Sequence, residues 1–283
     1  MRARIGEFSA VSPTDRQSTI AQTQKALREG FDQIIALGGD GTINAVVNGF
    51  FENGKAINPK ATLFVSSFGT GSDYHRMIMD GSRQDWIEVL NKGEVRTVDV
   101  GQIEYLEQDR APVFFANLAS LGMSAEVVVA KNCAAEGGWW TPAFLRYAIP
   151  ALRRLFFYRS FSAQISTEDA MVAGKWLVLF IAKGKFAGGG MRIGGRVGLG
   201  DGKFDITLVK AMGFWKRLQK FPLLYFGLGD NQKVFEKLKA TRLEIRSSSK
   251  IPLEFDGENG GTTDVCIRVV PQMLRVGFPK GRE

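Results

Sequence analysis

From Gln33 to Phe51 the chain reads "QIIALGGDGTINAVVNGFF": an apolar strand, a turn with three glycines and one aspartate, then an apolar helix. Gln33 to Leu37 has the length and content of a short buried strand, and Ile43, Val46, Val47, Phe50 and Phe51 recur at helical spacing. A strand passing through glycine into a helix opens a strand–helix–strand unit, which constrains the fold towards a parallel sheet. The turn also presents free backbone N–H groups at a helix N-terminus, where they suit phosphate oxygens. Asp40 stands where a carboxylate can act through a bound metal or on a polarised hydroxyl. Taken alone, the turn is either an anion site or a tight connection. It lacks the phosphate-loop lysine motif and the spacing of the dinucleotide fingerprint.

The unit repeats. A helix over Asp15 to Glu29, ended by Gly30, precedes the first strand, and "ATLFVS" runs into a second glycine turn, "SFGTGSDYHR". "RQDWIEVLNKG" is a further amphipathic helix with Gly93 as its C-cap. This alternation predicts a doubly wound, mostly parallel sheet, whose ligands bind beyond the carboxyl ends of the strands. After "VRTVDVGQIEYL" strands dominate. In Thr241 to Arg246, Leu243 and Ile245 share one face while Arg242, Glu244 and Arg246 share the other. That pattern predicts an antiparallel β-sandwich. The division falls near Thr97, giving an α/β domain over 1–97 and a sandwich over 98–269, each with its own sheet and with Asp99 at the junction.

At 283 residues the chain is long enough for two such domains, and its formal charge of +8 favours an anionic partner. Two cysteines, Cys133 and Cys266, make neither a disulfide framework nor a cysteine-rich zinc site, so a reducing compartment is expected. His75 is the single histidine, which leaves acid–base work to carboxylates. No apolar run is long enough to span a bilayer, and no secretory signal pattern opens the chain. Two segments mix aromatic and basic residues: "WWTPAFLRYAIPALRRLFFYRSF", with Arg146, Arg153 and Arg154, and "GFWKRLQKFPLLYFG". Each reads either as a helix packed on the sandwich or as a membrane-interface surface.

Three motifs in order carry more than any one alone. "GGDGT" (Gly38 to Thr42) follows the first strand, "GTGSD" (Gly69 to Asp73) follows the second, and "FDGE" (Phe255 to Glu258) lies near the end, with "GLGDGKFDITLV" from Gly198 between them. In this order the set resembles the diacylglycerol kinase catalytic-domain family of bacterial lipid kinases, with ceramide and sphingosine kinases more distant. "GGDGT" itself is shared with NAD kinases, and the resemblance implies their common two-domain fold, with residues 270–283 returning to the first domain.

The resemblance also implies roles. ATP would lie on Gly38, Gly39, Asp40, Gly41, Thr42, Ile43, Asn44 and Ala45, with Gly69, Thr70 and Ser72 from the second turn. Glu258 would accept the proton of the acceptor hydroxyl, with Asp256 beside it, and Asp40 and Asp99 would organise the catalytic magnesium. A structural magnesium would sit on the Asp201 carboxylate and the carbonyls of Gly198 and Lys203. The expected activity is ATP- and Mg²⁺-dependent phosphorylation of diacylglycerol or a related lipid by a cytoplasmic enzyme docked on anionic membrane. Nucleic acid is not an expected partner, and a homodimer is an option the sequence leaves open. The chain departs from the family pattern: Ala45 stands for a glutamate, Ser72 for an asparagine, and the opening strand, "NPxSG"-like loop and helix have no counterpart. Two alternatives follow, an NAD kinase and a degenerate member that binds lipid or nucleotide without catalysis.

Overall fold

A computed structural model describes residues 7–67, 72–135, 157–194, 198–225 and 233–280. Gly69, Thr70 and the first aromatic–basic segment up to residue 156 lie outside these residues. The first described helix, α1 (Arg16–Arg28), starts at a reciprocal cap: Asp15 accepts from the Ser18 N–H, and the Ser18 hydroxyl accepts from the Asp15 N–H. Strand β1 (Gln33–Leu37) then leads through the glycine turn into α2 (Asp40–Gly49), a short β2–β3 hairpin (Phe51–Glu52, Lys55–Ala56) and the fully buried β4 (Thr62–Ser66). Helices α3 (Asp73–Met79) and α4 (Trp86–Lys92) complete the unit.

Strands β1 and β4 pair in parallel from Gln33↔Thr62 to Leu37↔Ser66. On its other edge β4 pairs in parallel with the last strand, β17 (Val265–Phe278), at Arg275↔Thr62 and Val276↔Leu63. The chain therefore returns to its first domain to finish that sheet. Strand β5 (Glu94–Tyr105) runs antiparallel to β17 along almost its whole length, with the register slipping between Val270 and Leu274.

The remaining strands build the sandwich: β6 (Val113–Phe115), β7 (Leu118–Gly122), β8 (Phe161–Thr167), β9 (Met171–Ala182), the β10–β11 pair (Phe186–Ala187, Met191–Arg192), β12 (Phe204–Lys210), β13 (Phe235–Ala240), β14 (Arg242–Arg246), β15 (Pro252–Phe255) and β16 (Glu258–Thr262). Helix α5 (Met123–Ala135) follows β7, and α6 (Phe214–Tyr225) follows β12. Strands β14, β8, β9, β7, β15 and β16 pair antiparallel in that order, and β12 joins β9 to β13.

One expectation is corrected here. The two domains do not have separate sheets, because β5 and β17 run through both and make the hydrogen-bonded path continuous. What does divide is the core. Val98, Val100, Leu274, Val276 and Phe278 pack with α2 and β4, whereas Ile103, Val265 and Ile267 pack with the sandwich. The change of core falls beyond Thr97, between Val100 and Ile103, inside a single strand. Two long strands crossing together join the domains, and the glycine turn of α2 and the β15–β16 turn meet beside them.

Candidate active site at the domain junction

The glycine turn meets the sandwich at Gly41, beside Glu258. The first N–H to close the α2 ladder is that of Ile43, on the Gly39 carbonyl at 3.0 Å. The N–H groups of Asp40, Gly41 and Thr42 therefore lie ahead of the helical bonds. Gly39 caps the helix without a side chain, and nothing stands within 4 Å of where its Cβ would be. Gly38 is closed from behind: its N–H binds the Ser66 carbonyl, and a Cβ there would meet the Thr42 hydroxyl at 2.6 Å.

Asp40 reaches from the first glycine turn to the second. Its carboxylate accepts from the Ser72 hydroxyl (2.9 Å) and from the N–H groups of Asp73 and Tyr74 (both 3.1 Å), so it caps α3. The Ser72 hydroxyl also accepts from the His75 N–H, which commits it within the protein and not to a nucleotide. Ile43, Asn44 and Ala45 are buried, so only their backbone, and not their side chains, faces the expected nucleotide position. They point away from the turn opening because α2 must pack one face on the sheet and the sandwich.

Glu258 comes to the same place from the other domain. Strands β15 and β16 are joined by the two-residue turn Asp256–Gly257, both at positive φ, which sets Phe255 opposite Glu258. The Glu258 carboxylate then lies against α2, and a Cβ on Gly41 would fall 2.5 Å from its Oε1. Only glycine lets this helix end and this carboxylate approach so closely. No side-chain hydrogen bond ties Glu258 down among the described residues.

Asp256, its neighbour by two, is placed quite differently. It is buried and accepts from the N–H groups of Ala116 (2.8 Å), Asn117 (3.1 Å) and Leu118 (2.8 Å) and from the Asn44 amide (2.8 Å). Four donors fill the acceptor sites of one carboxylate. Burial pushes the Asp256 carboxyl up to about 6, against the pull of these donors. The catalytic reading of Asp256 is thus corrected: it clamps the 116–118 turn and, through Asn44, fixes the sandwich to α2.

Asp99 is corrected for the same reason. Its Oδ1 accepts from the Gln272 N–H (2.9 Å), and its Oδ2 from the Gly202 N–H (2.8 Å) and the Lys183 ammonium (2.8 Å). Asp201, Gly198 and Lys203 do converge as expected, but around that same ammonium. Among the described residues no group of three or more His, Cys, Asp or Glu could hold a metal ion.

Two participants escape sequence reasoning. Asp73 pairs with Arg76 (2.8 Å) and accepts the Gly189 N–H (2.8 Å), joining the second glycine turn to the sandwich; burial raises its pKa. Arg16 lies over the Phe255 ring, 5.5 Å from the centroid, with its Nη1 buried and without a hydrogen-bond partner. Burial lowers its pKa, and the nearby charges of Glu258 and Asp256 work against that. Its one signal in the sequence is a cation in the first turn of a helix, where the helix dipole disfavours it.

Comparison with known proteins agrees with this geometry. Residues 118–278 match the model of the YegS C-terminal NAD kinase beta sandwich-like domain, and residues 2–103 that of the diacylglycerol kinase catalytic domain. The diacylglycerol kinase of Bacillus subtilis is 28% identical over 250 residues, covering 86% of this chain and 76% of its own. A Stenotrophomonas maltophilia protein named "Probable lipid kinase YegS-like" is 26% identical over 266 residues, covering 91% and 82%. The crystal structure of a diacylglycerol kinase from Bacillus anthracis strain Sterne aligns with a TM-score of 0.69 over 98% of this chain and 86% of its own, at 18% identity, a likeness of fold. With two domain models matched in order and a glycine turn facing a free glutamate across their junction, the chain belongs to the diacylglycerol kinase catalytic-domain family and, with it, to the lipid kinases.

Proposed function

We propose that the protein moves the γ-phosphoryl group of ATP to a hydroxyl of diacylglycerol or a related lipid, with Glu258 taking the hydroxyl proton. The observation that carries this reading is the free Glu258 carboxylate set against the open N-terminus of α2. Phosphate oxygens would lie on the N–H groups of Asp40, Gly41 and Thr42. As the lipid oxygen bonds to phosphorus, its proton passes to Glu258, the bond from phosphorus to the bridging oxygen breaks, and ADP leaves.

Asp40 is a hard oxygen donor at the same helix end and fits a magnesium ion carried with the nucleotide. That ion would neutralise charge on the phosphates. Asp99 does not fit this role, since its carboxylate is fully buried and paired with the Lys183 ammonium, whereas Asp40, though it accepts three donors, is only part-buried and faces no cation of the chain among the described residues. Arg16 places a cation beside Glu258. Helix α6 supports docking on an anionic membrane: Trp215, 73% exposed, and Leu218 project beside the exposed Lys216. No described helix is long and apolar enough to cross a membrane.

The test is incubation of the full chain with γ-labelled ATP, magnesium and a crude lipid extract, with NAD in a parallel reaction. Label in phospholipid supports the proposal. Label in NADP moves the chain to the NAD kinases, and label in neither favours a binder without catalysis.

A further inference from the structure

The oxygens that the family resemblance reserves for a structural magnesium hold an amino group of the chain itself. Lys183 follows β9, and its backbone N–H is fixed on the Asn117 carbonyl at 2.9 Å. Its side chain is 0% exposed, and Nζ lies 2.8 Å from Asp99 Oδ2, 2.9 Å from the Lys203 carbonyl, 3.2 Å from the Gly198 carbonyl and 3.4 Å from Asp201 Oδ1. An ammonium has three protons, and the three shorter contacts accept them.

These are ammonium distances. Magnesium needs oxygens at about 2.0–2.1 Å and calcium at about 2.3–2.6 Å. A metal could enter only by expelling a buried cation that has its full complement of acceptors. The rest of the loop is built around the same arrangement. Asp201 Oδ2 takes the Gly198 N–H, Asp99 Oδ2 takes the Gly202 N–H, and the Asp99 N–H binds the Leu199 carbonyl. Lys183 thus ties β9 to the 198–203 loop and, through Asp99, to the two strands that cross the junction.

We propose that Lys183 is a built-in replacement for the structural metal ion, so that the 198–203 loop is locked to the domain junction by a covalently supplied charge. The fold then needs no divalent ion at this site, whatever nucleotide or lipid the active site takes. An ammonium supplied by the chain is present at unit stoichiometry and cannot be chelated. A stability requirement for metal is thereby separated from any metal used with the nucleotide.

The proposal can be tested without activity. The full chain is stripped with EDTA, and its melting temperature is followed as Mg²⁺ or Ca²⁺ is added without nucleotide, against NaCl of equal ionic strength. The wild type should respond no more to the divalent ions than to the salt control. Lys183→Ala leaves two carboxylates facing each other without a cation and should melt lower by about 10 °C in EDTA. Divalent ion should restore much of that loss in a saturable way, and Asp201→Asn in the same background should abolish the restoration. A saturable wild-type shift that Asp201→Asn removes would overturn the proposal, as would a Lys183→Ala protein that melts like the wild type in EDTA. Should Lys183→Ala fail to fold under any condition, the wild-type and Asp201→Asn titrations still decide: flat curves uphold the proposal and saturable ones reject it.

Discussion

The domain junction holds two groups of acids, and they are finished in opposite ways. Around Asp99 and Asp201 the charges are closed: an ammonium, two backbone N–H groups on Asp99 and two on Asp201 account for the oxygens. On the side of α2, Glu258 has no side-chain hydrogen bond among the described residues, and the adjoining helix N-terminus has no capping side chain. Buried charge is tolerated only when it is paired, so a closed group reports on architecture. An open carboxylate beside unfilled N–H donors points to a ligand. Asp256 sharpens the contrast, since it is two residues from Glu258 and belongs with the closed group.

The largest effect should come from the open side. Glu258→Gln keeps shape and hydrogen-bonding capacity but removes the base, so phosphoryl transfer should fall by about two to four powers of ten. Nucleotide affinity should change little, because phosphates rest on the α2 N–H groups. Stability should move by no more than about 0.5 kcal/mol, as for other surface changes. Near-normal lipid phosphorylation by this variant would sink the assignment of the base.

Asp256→Ala probes the closed side and should do the reverse in kind. It leaves three buried backbone N–H groups without an acceptor and takes one of two acceptors from the Asn44 amide, at a cost of about 3–5 kcal/mol in stability. Denaturant unfolding read by fluorescence would measure this. If the loss is below about 1 kcal/mol while transfer is abolished, Asp256 belongs to the chemistry after all.

The sequence carries one side of this comparison better than the other. The glycine turn, the α1 cap at Asp15 and the alternation in β14 are local patterns, and each element forms where its pattern lies. The closed group is written in partners far apart along the chain. Asp256 binds residues 138 to 140 positions away, and Asp99 binds Lys183, Gly202 and Gln272 at 84, 103 and 173. In "IAKGKFAGGG", Lys183 is indistinguishable from a solvated lysine at a strand end. "TVDVG" and "FDGE" likewise read as two acids beside glycines, and the partner count that separates them exists only in the fold. The shared sheet was hidden because one strand that changes cores midway looks, in sequence, like two.

Gly41→Ala should separate stability from chemistry more finely. Alanine inside a helix is intrinsically better than glycine by roughly 0.5–1 kcal/mol. Here the new methyl would fall on Glu258 Oε1, so the carboxylate must swing aside. Displacement of a reacting group by about 1 Å can lower turnover by about a hundredfold. The expected variant is as stable as the wild type or more so, with transfer reduced tenfold to a hundredfold. A variant with full activity would mean that Glu258 does not work from its position against α2.

The smallest effects are two opposed slopes of stability against pH. Burial raises the Asp256 carboxyl from its usual range to about 6. Between about pH 4 and 6 the folded state therefore holds a proton that the unfolded state has released, and stability falls as pH rises through this window. His75, half-buried on α3 near Asp40, is shifted the other way: burial lowers its pKa, and the Asp40 charge only partly offsets this. Below about pH 6.5 the unfolded state takes up the histidine proton more readily, so this contribution is lost as pH falls. Denaturation midpoints for the wild type, Asp256→Asn and His75→Gln between pH 4.5 and 7, on the order of the window just given, separate the two. On acidification the wild type should gain stability relative to Asp256→Asn and lose it relative to His75→Gln. Constant offsets introduced by either substitution do not matter, because only the slopes are compared. Should the Asp256 difference be flat, its four donors outweigh burial, the carboxylate is fully ionised in the fold, and the closed side of the junction is tighter still than its burial alone implies.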